Sequence, residues 1–348
     1  MHRMPDKGIR PNILDVIDTH AGGDVSRIVV GGVKRLPGDS LLEQLEYLRR
    51  QADGLRRLLL YEPYGDPYMS VNLIQPSFSA KACAGFITME SMGYPYFSGS
   101  NTLCTAATLM ELLGLDSSVL LETPDGLVKV VGKRMDDGSW EMTCEGTPAY
   151  VVERGLAVEL AGVGRASFDL VYSGALYAVV RAGEYGFSLL ESEEPRLIEF
   201  AHDLVRSARA FVEHEHPELG KVAPLPFVHF EGPVDLVGEM PQSRTATFVF
   251  PNVICRSPTG TGTAARLALM RQRGERAEAI RTISPRGNSF VGRIVGETRV
   301  GRYQGVRCTT TGQVFTLARS QILINRGDPS IPESGLMEVL EAGRSFVP

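Results

Sequence analysis

The sequence predicts a mixed α+β fold built as two related lobes, and three observations carry that prediction. Its β-rich runs, such as SFDLVYSGALYAVVRAG and TATFVFPNVIC, are short and broken by Gly and Pro. Two amphipathic helical stretches stand among them without the regular strand–helix alternation of a parallel sheet. One element also occurs twice. Ser98-Gly99-Ser100-Asn101-Thr102 precedes LCTAATLMELLG, and Thr259-Gly260-Thr261-Gly262-Thr263 precedes AARLALM.

In chain order, residues 12–34 read as two strands around the turn AGG. Residues 40–61 read as one amphipathic helix, capped by Ser40 with Glu43 and striped by Leu41, Leu45, Leu48, Leu55 and Leu59. A second spans roughly 195–213, with Leu197, Phe200, Ala201, Leu204, Ala208 and Phe211 on one face. The helix after Ser98 is apolar nearly all round, so it belongs in the centre of a lobe. The one after Thr259 begins the same way and emerges at Arg271-Gln272-Arg273. The turn-like MDDGS places the lobe boundary near 133–138. The expected division is a first lobe of 1–135 completed by 326–348, and a second of 136–325, with the site in the cleft between them.

Composition sets outer limits. The chain has 348 residues, 43% hydrophobic and 22% charged, values of an ordinary globular protein. A net charge of -5 offers no basic footprint for nucleic acid, and no apolar run reaches membrane-spanning length. MHRMPDKGIR lacks the apolar core of a secretory signal. Cys83, Cys104, Cys144, Cys255 and Cys308 are odd in number and have no CxxC spacing, so neither a disulfide framework nor a zinc site is expected. The expectation is a cytoplasmic protein acting on a small molecule, without metal or cofactor; a homodimer is compatible with this.

Glycine at the head of a buried helix lets a ligand approach free backbone N–H groups that favour anions. Two such heads facing across a cleft could share one carboxylate on Gly99, Ser100, Gly260 and Thr261, with Asn101 beside them. Ser98 and Thr259 would then flank an α-carbon from opposite sides. The plainer alternative is a pair of capped helices, since Ser and Thr are favoured caps. A phosphate loop is disfavoured, because neither element has the P-loop lysine or a GxGxxG run. Cys255, four residues before Thr259, is an alternative thiolate, or else a small core residue. Cys104 is expected in the core. His20 should bond at a strand end, His214 and His216 should be solvated, and Trp140 should be exposed or half-buried. Cys83, Cys144 and Cys308 carry no functional expectation.

Five blocks give the chain a family resemblance: Asp18-Thr19-His20-Ala21-Gly22-Gly23, Glu62-Pro63 with Gly65, the Ser98 loop, Tyr172-Ser173-Gly174-Ala175-Leu176-Tyr177, and Arg256-Ser257-Pro258-Thr259-Gly260-Thr261-Gly262-Thr263. With these it resembles the proline racemase superfamily, which includes hydroxyproline 2-epimerases and trans-3-hydroxy-L-proline dehydratases. The resemblance implies a diaminopimelate epimerase-like fold, two pseudo-symmetric lobes each with a curved sheet around a central helix. It also implies chemistry at the α-carbon of a proline. The epimerases usually carry cysteine at both heads, where this chain has Ser98 and Thr259. They carry histidine at the position of Ser100, and an aspartate engaging the ring nitrogen at the position of Cys255. Where they usually read EPRGH, this chain has Glu62-Pro63-Tyr64-Gly65-Asp66. Threonine at the second head and LRRLLLYEP at 55–63 resemble the dehydratase branch. Two hydroxyls suit two-base exchange poorly, because a hydroxyl is a far weaker acid than a thiol. The leading expectation is therefore dehydration of trans-3-hydroxy-L-proline to a pyrroline carboxylate. The alternatives are a 4-hydroxyproline epimerase or proline racemase, and a non-catalytic amino-acid binder. No general base for Ser98 is visible beside it in the sequence.

Overall fold

The computed structural model describes residues 12–345 except 276, 326 and 333. The polar N-terminal segment discussed above lies outside the described residues, as does part of the 326–348 stretch.

Two closed rings of strands form the body. In the first, Asn12–Ala21 pairs with Asp24–Val33, and the ring continues through Ser70–Gln75, Ala84–Met89, Ser118–Thr123, Gly126–Arg134 and Trp140–Glu145. The long strand Tyr303–Ile324 then joins Trp140–Glu145 back to Asn12–Ala21. The second ring runs from Gly164–Tyr172 through Leu176–Arg181, Phe227–Glu231, Met240–Val249, Ala279–Ile283 and Ser289–Val300. The same Tyr303–Ile324 strand and then Ala149–Leu160 close it. From each starting hairpin the order of pairings is identical: antiparallel, parallel, antiparallel, parallel, then four antiparallel. Repetition in the sequence is thus repetition of a whole architecture around one shared strand.

Helices occupy equivalent places. Between the second and third strands of the first ring lie α1 (Leu41–Gln51) and α2 (Gly54–Leu60). α3 (Gly99–Leu113) follows the fourth strand and fills the ring. In the second ring α4 (Glu194–Ala208) corresponds to the α1–α2 pair, and α5 (Gly260–Gln272) to α3. The stretch 40–61 is therefore two helices, not one. Gly54 packs against the backbone of the 334–336 segment, where a Cβ would lie 2.6 Å from the Gly335 carbonyl carbon, and its N–H donates to Gly335 O. That docking interrupts the helix at Ala52-Asp53. Ser40 caps α1 as expected, accepting from Glu43 N–H at 3.1 Å, while the Glu43 carboxylate accepts from Asp39 N–H.

In α4, Leu197, Phe200, Ala201, Leu204 and Ala208 are buried, each large side chain contributing about 2 kcal/mol of apolar transfer. Phe211 departs from that face: the helix ends at Ala208 and Phe211 is 49% exposed. Trp140 also departs from expectation. It is buried against α3 and donates Nε1–H to Glu111 at 3.2 Å. His214 and His216 are drawn into a cluster with Tyr150, Tyr172 and Tyr303, and His216 is buried. Cys104 lies in the core of the first ring, as expected. His20 accepts from Gly23 N–H at the strand end. Because Trp140–Glu145 pairs within the first ring and packs on α3, we propose a division between lobes after Glu145, with 303–324 common to both.

Candidate active site

α3 and α5 point their N-termini at one another. A Cβ on Gly99 would sit 3.3 Å from the Gly260 Cα, a close approach that the paired glycines make easy. Both helices begin alike: Thr102 N–H and Oγ1–H donate to Ser98 O, and Thr263 N–H and Oγ1–H donate to Thr259 O. The N–H groups before those bonds, on Gly99, Ser100, Gly260 and Thr261, precede the helical ladder and present positive ends to the space between the helices.

Neither Ser98 nor Thr259 caps its own helix through its side chain. The capped-helix alternative therefore does not describe what these hydroxyls do. Ser98 Oγ accepts from Asn101 Nδ2 at 2.8 Å, and the same amide nitrogen donates to Glu90 Oε1 at 3.0 Å. Asn101 Oδ1 accepts from Ser26 Oγ and Asn72 Nδ2, which fixes which end of the amide faces the cleft. On the other side Thr259 Oγ1 lies 3.0 Å from Thr247 Oγ1, itself 2.9 Å from His229 Nδ1. Thr259 has φ +62, a conformation costing a β-branched residue about 1–3 kcal/mol. It is held there by Ser257 Oγ, which accepts from Thr259 N–H, and by the Thr247 contact.

The cleft is lined by these heads and by Asp24, Tyr68, Glu90, Ser173, Tyr177 and Cys255, among others. All the sequence-derived candidates except Asn101 line it directly, and Asn101 stands just behind Ser98. Lysine and arginine are missing from the lining among the described residues, so an anion there meets backbone N–H groups and not a side-chain cation.

Asp24, Glu90 and Cys255 lie deep in the protein yet keep part of their surface open to the cleft. Burial, reinforced by the Asp24 carboxyl, pushes Glu90 up to about 7, against hydrogen bonds from Ser98, Ser70 and Asn101 that stabilise its anion. Burial also raises Asp24, opposed by Ser257 Oγ–H and the N–H groups of Ser257 and Arg256, all of which donate to it. Cys255 is held well above the ordinary thiol range by burial and by both carboxyls. A thiol raised in this way favours the protonated form at neutral pH, which weighs against the thiolate reading of Cys255. Tyr177 is raised by burial and lies 2.5 Å from Thr261 Oγ1. His229 is fully buried and lowered to about 3, by burial and then by the Arg266 charge, which keeps the imidazole neutral.

Sequence reasoning missed Glu90, Asp24, His229 and Thr247. Glu90 had one visible signal: it directly follows a strand, Ala84–Met89, that is uncharged and wholly buried. His229 had another, as an imidazole in the middle of the buried strand FVHFE.

The family model described as Proline racemase matches residues 16–332. A protein of Chromohalobacter salexigens is 46% identical, over 95% of this chain and 94% of its own length. The 4-hydroxyproline 2-epimerase 1 of Rhizobium rhizogenes is 30% identical, over 94% of this chain and 96% of its own. Among solved structures, a hydroxyproline epimerase from Agrobacterium vitis with bound trans-4-hydroxy-L-proline superposes with a TM-score of 0.84 at 30% identity, covering 92% of this chain and 94% of that one. A PhzF-family protein of Bacillus anthracis shares the fold at 11% identity and a TM-score of 0.55.

Proposed function

Because the chain belongs to the proline racemase family, we propose that it removes the α-proton of a cyclic amino acid and expels a hydroxyl from C3, with trans-3-hydroxy-L-proline as substrate. The observation that carries this reading is the inequality of the two heads. Ser98 stands beside a carboxyl poised near neutrality, whereas Thr259 is backed by Thr247 and a neutral His229. Racemisation needs a base on one face and a proton donor on the other. Here the second head is backed by hydroxyls and a neutral imidazole, and the Cys255 thiol near it is raised well above the ordinary range by burial.

Stereochemistry supports the same conclusion. In the trans isomer the 3-hydroxyl lies opposite the carboxylate and so on the same face of the ring as the α-hydrogen. Elimination can then be served from one side. The substrate carboxylate is assigned to the N–H groups of Gly99, Ser100, Gly260 and Thr261, and its ammonium to a cleft whose charged lining groups are carboxyls.

Incubation in D₂O with the 3- and 4-hydroxyproline isomers and L-proline, followed by NMR, tests this. The trans-3-hydroxy-L isomer should be consumed to an unsaturated product and water, and its cis counterpart should persist. Likeness to proteins named 4-hydroxyproline 2-epimerase favours a second reading, an isomerase. Rapid inversion of 4-hydroxyproline with no loss of the 3-hydroxy isomer would establish that reading instead. Tight binding without exchange or turnover of any isomer would identify a binder.

A further inference from the structure

We propose that Glu90 is the acid–base group of this site, working through the Ser98 hydroxyl in place of a thiol. Two placements support it. Glu90 and Ser98 line the same cleft, and they share the Asn101 amide, whose two protons go one to each. With an Asn101 N–H already donated to Ser98 Oγ, the serine's own proton is free to be given to the Glu90 carboxylate. The same N–H, together with the α3 N-terminus, stabilises negative charge developing on that oxygen.

Other titratable groups facing Glu90 are poorly suited to the task. Cys255 and Tyr177 are both raised by burial and stay protonated at neutral pH. Asp24 is engaged by three donors from the 256–257 loop, with Arg256 the nearby cation. Glu90 is the cleft carboxyl placed near neutrality, where a general base and its conjugate acid are both accessible.

The step balances without an oxidant or added reactant. Ser98 Oγ bonds the α-hydrogen while its own proton passes to Glu90. The C–H electron pair becomes the C2=C3 π bond, and the C3–O bond breaks with its pair on oxygen. The proton held by Glu90 then returns through Ser98 to that oxygen, and water leaves. The second half of this sequence rests on the elimination reading given above; the first half does not.

The test is Glu90→Gln in the full chain, with Glu90→Asp as the conservative variant. With trans-3-hydroxy-L-proline in D₂O, Glu90→Gln should lower kcat at least about 100-fold with KM changed less than about threefold, and Glu90→Asp should recover part of the loss. The wild-type rate should rise through about pH 7 and then level, and this limb should vanish in the Gln variant. Retention of kcat within about threefold overturns the proposal, as does a loss residing in KM alone, which would make Glu90 an ammonium partner. A substrate-free arm follows the Glu90 carboxyl by ¹³C NMR, assigned by its absence from Glu90→Gln. A midpoint near 7 is expected, and one at or below the ordinary Glu value of about 4.5 overturns the proposal. If the wild type exchanges the α-proton of L-proline but leaves the 3-hydroxy isomer intact, the elimination reading fails. Loss of that exchange in Glu90→Gln would then still uphold Glu90.

Discussion

Glu90→Gln should make the protein more stable at alkaline pH. A carboxyl that titrates at 4.5 when unfolded and about 7 when folded is a burden on the native state wherever it must be ionised. Below about pH 4.5 it is neutral in both states and costs nothing through ionisation. As pH rises through 7 the full penalty develops, about 3 kcal/mol for a displacement of this size. At pH 5 the same linkage gives a penalty of only about 1 kcal/mol. Water entering through the cleft trims these figures, so the advantage of Gln over Glu should grow by about 2 kcal/mol between pH 5 and 8. Urea denaturation of both proteins at several pH values measures it directly. A difference that stays flat across that interval would refute the account of Glu90 as a buried, cleft-facing carboxyl. The expected result also opposes stability to activity in one residue, the trade-off of groups retained for chemistry.

Three further outcomes follow from the geometry. Gly262→Ala would bring a Cβ to 2.2 Å from Thr259 Oγ1 and 2.7 Å from His229 Nδ1. Despite alanine's better helix propensity, it should cost about 1–3 kcal/mol in thermal unfolding and displace the Thr259 hydroxyl. Gly260→Val, crowded by Thr310 and Gly99 within 3.4 Å, should abolish binding in calorimetry, whereas Ser100→Ala should keep affinity within about twofold because the backbone supplies the contact. Ser98→Ala should remove turnover and Cys255→Ala should retain it; the opposite pattern would transfer the proton-handling role to Cys255.

Both helix heads were legible because they are contiguous and nearly duplicated, so a local reading suffices. Ser98, Thr259 and the intervening spacing could be assigned before any fold was known. Glu90 could not, since its meaning depends on the 91–97 loop folding back to set it beside a residue eight positions later. His229 and Thr247 come from neighbouring antiparallel strands, and their register decides that they meet behind Thr259. The misplacement of His214 and His216 has the same origin: Tyr150 and Tyr172 face each other across one hairpin, and Tyr303 reaches them from a strand far downstream. The break at Ala52-Asp53 was hidden for a similar reason, because the segment that docks on Gly54 lies some 280 residues downstream.

The shared strand Tyr303–Ile324 has a consequence for biosynthesis. Ribosomes make the chain from the N-terminus, so Asn12–Ala21 and Trp140–Glu145 emerge long before the strand that must lie between them. The second ring meets the same delay at Ala149–Leu160, whereas Ser289–Val300 emerges just ahead of the shared strand and pairs with it as a hairpin. Until then the nascent protein carries raw β edges on both halves, the kind of surface that templates aggregation. Maturation should therefore be a late, all-at-once event. Ribosome-stalled chains ending before residue 303 should remain protease-sensitive throughout, and a protected first half in such chains would contradict this.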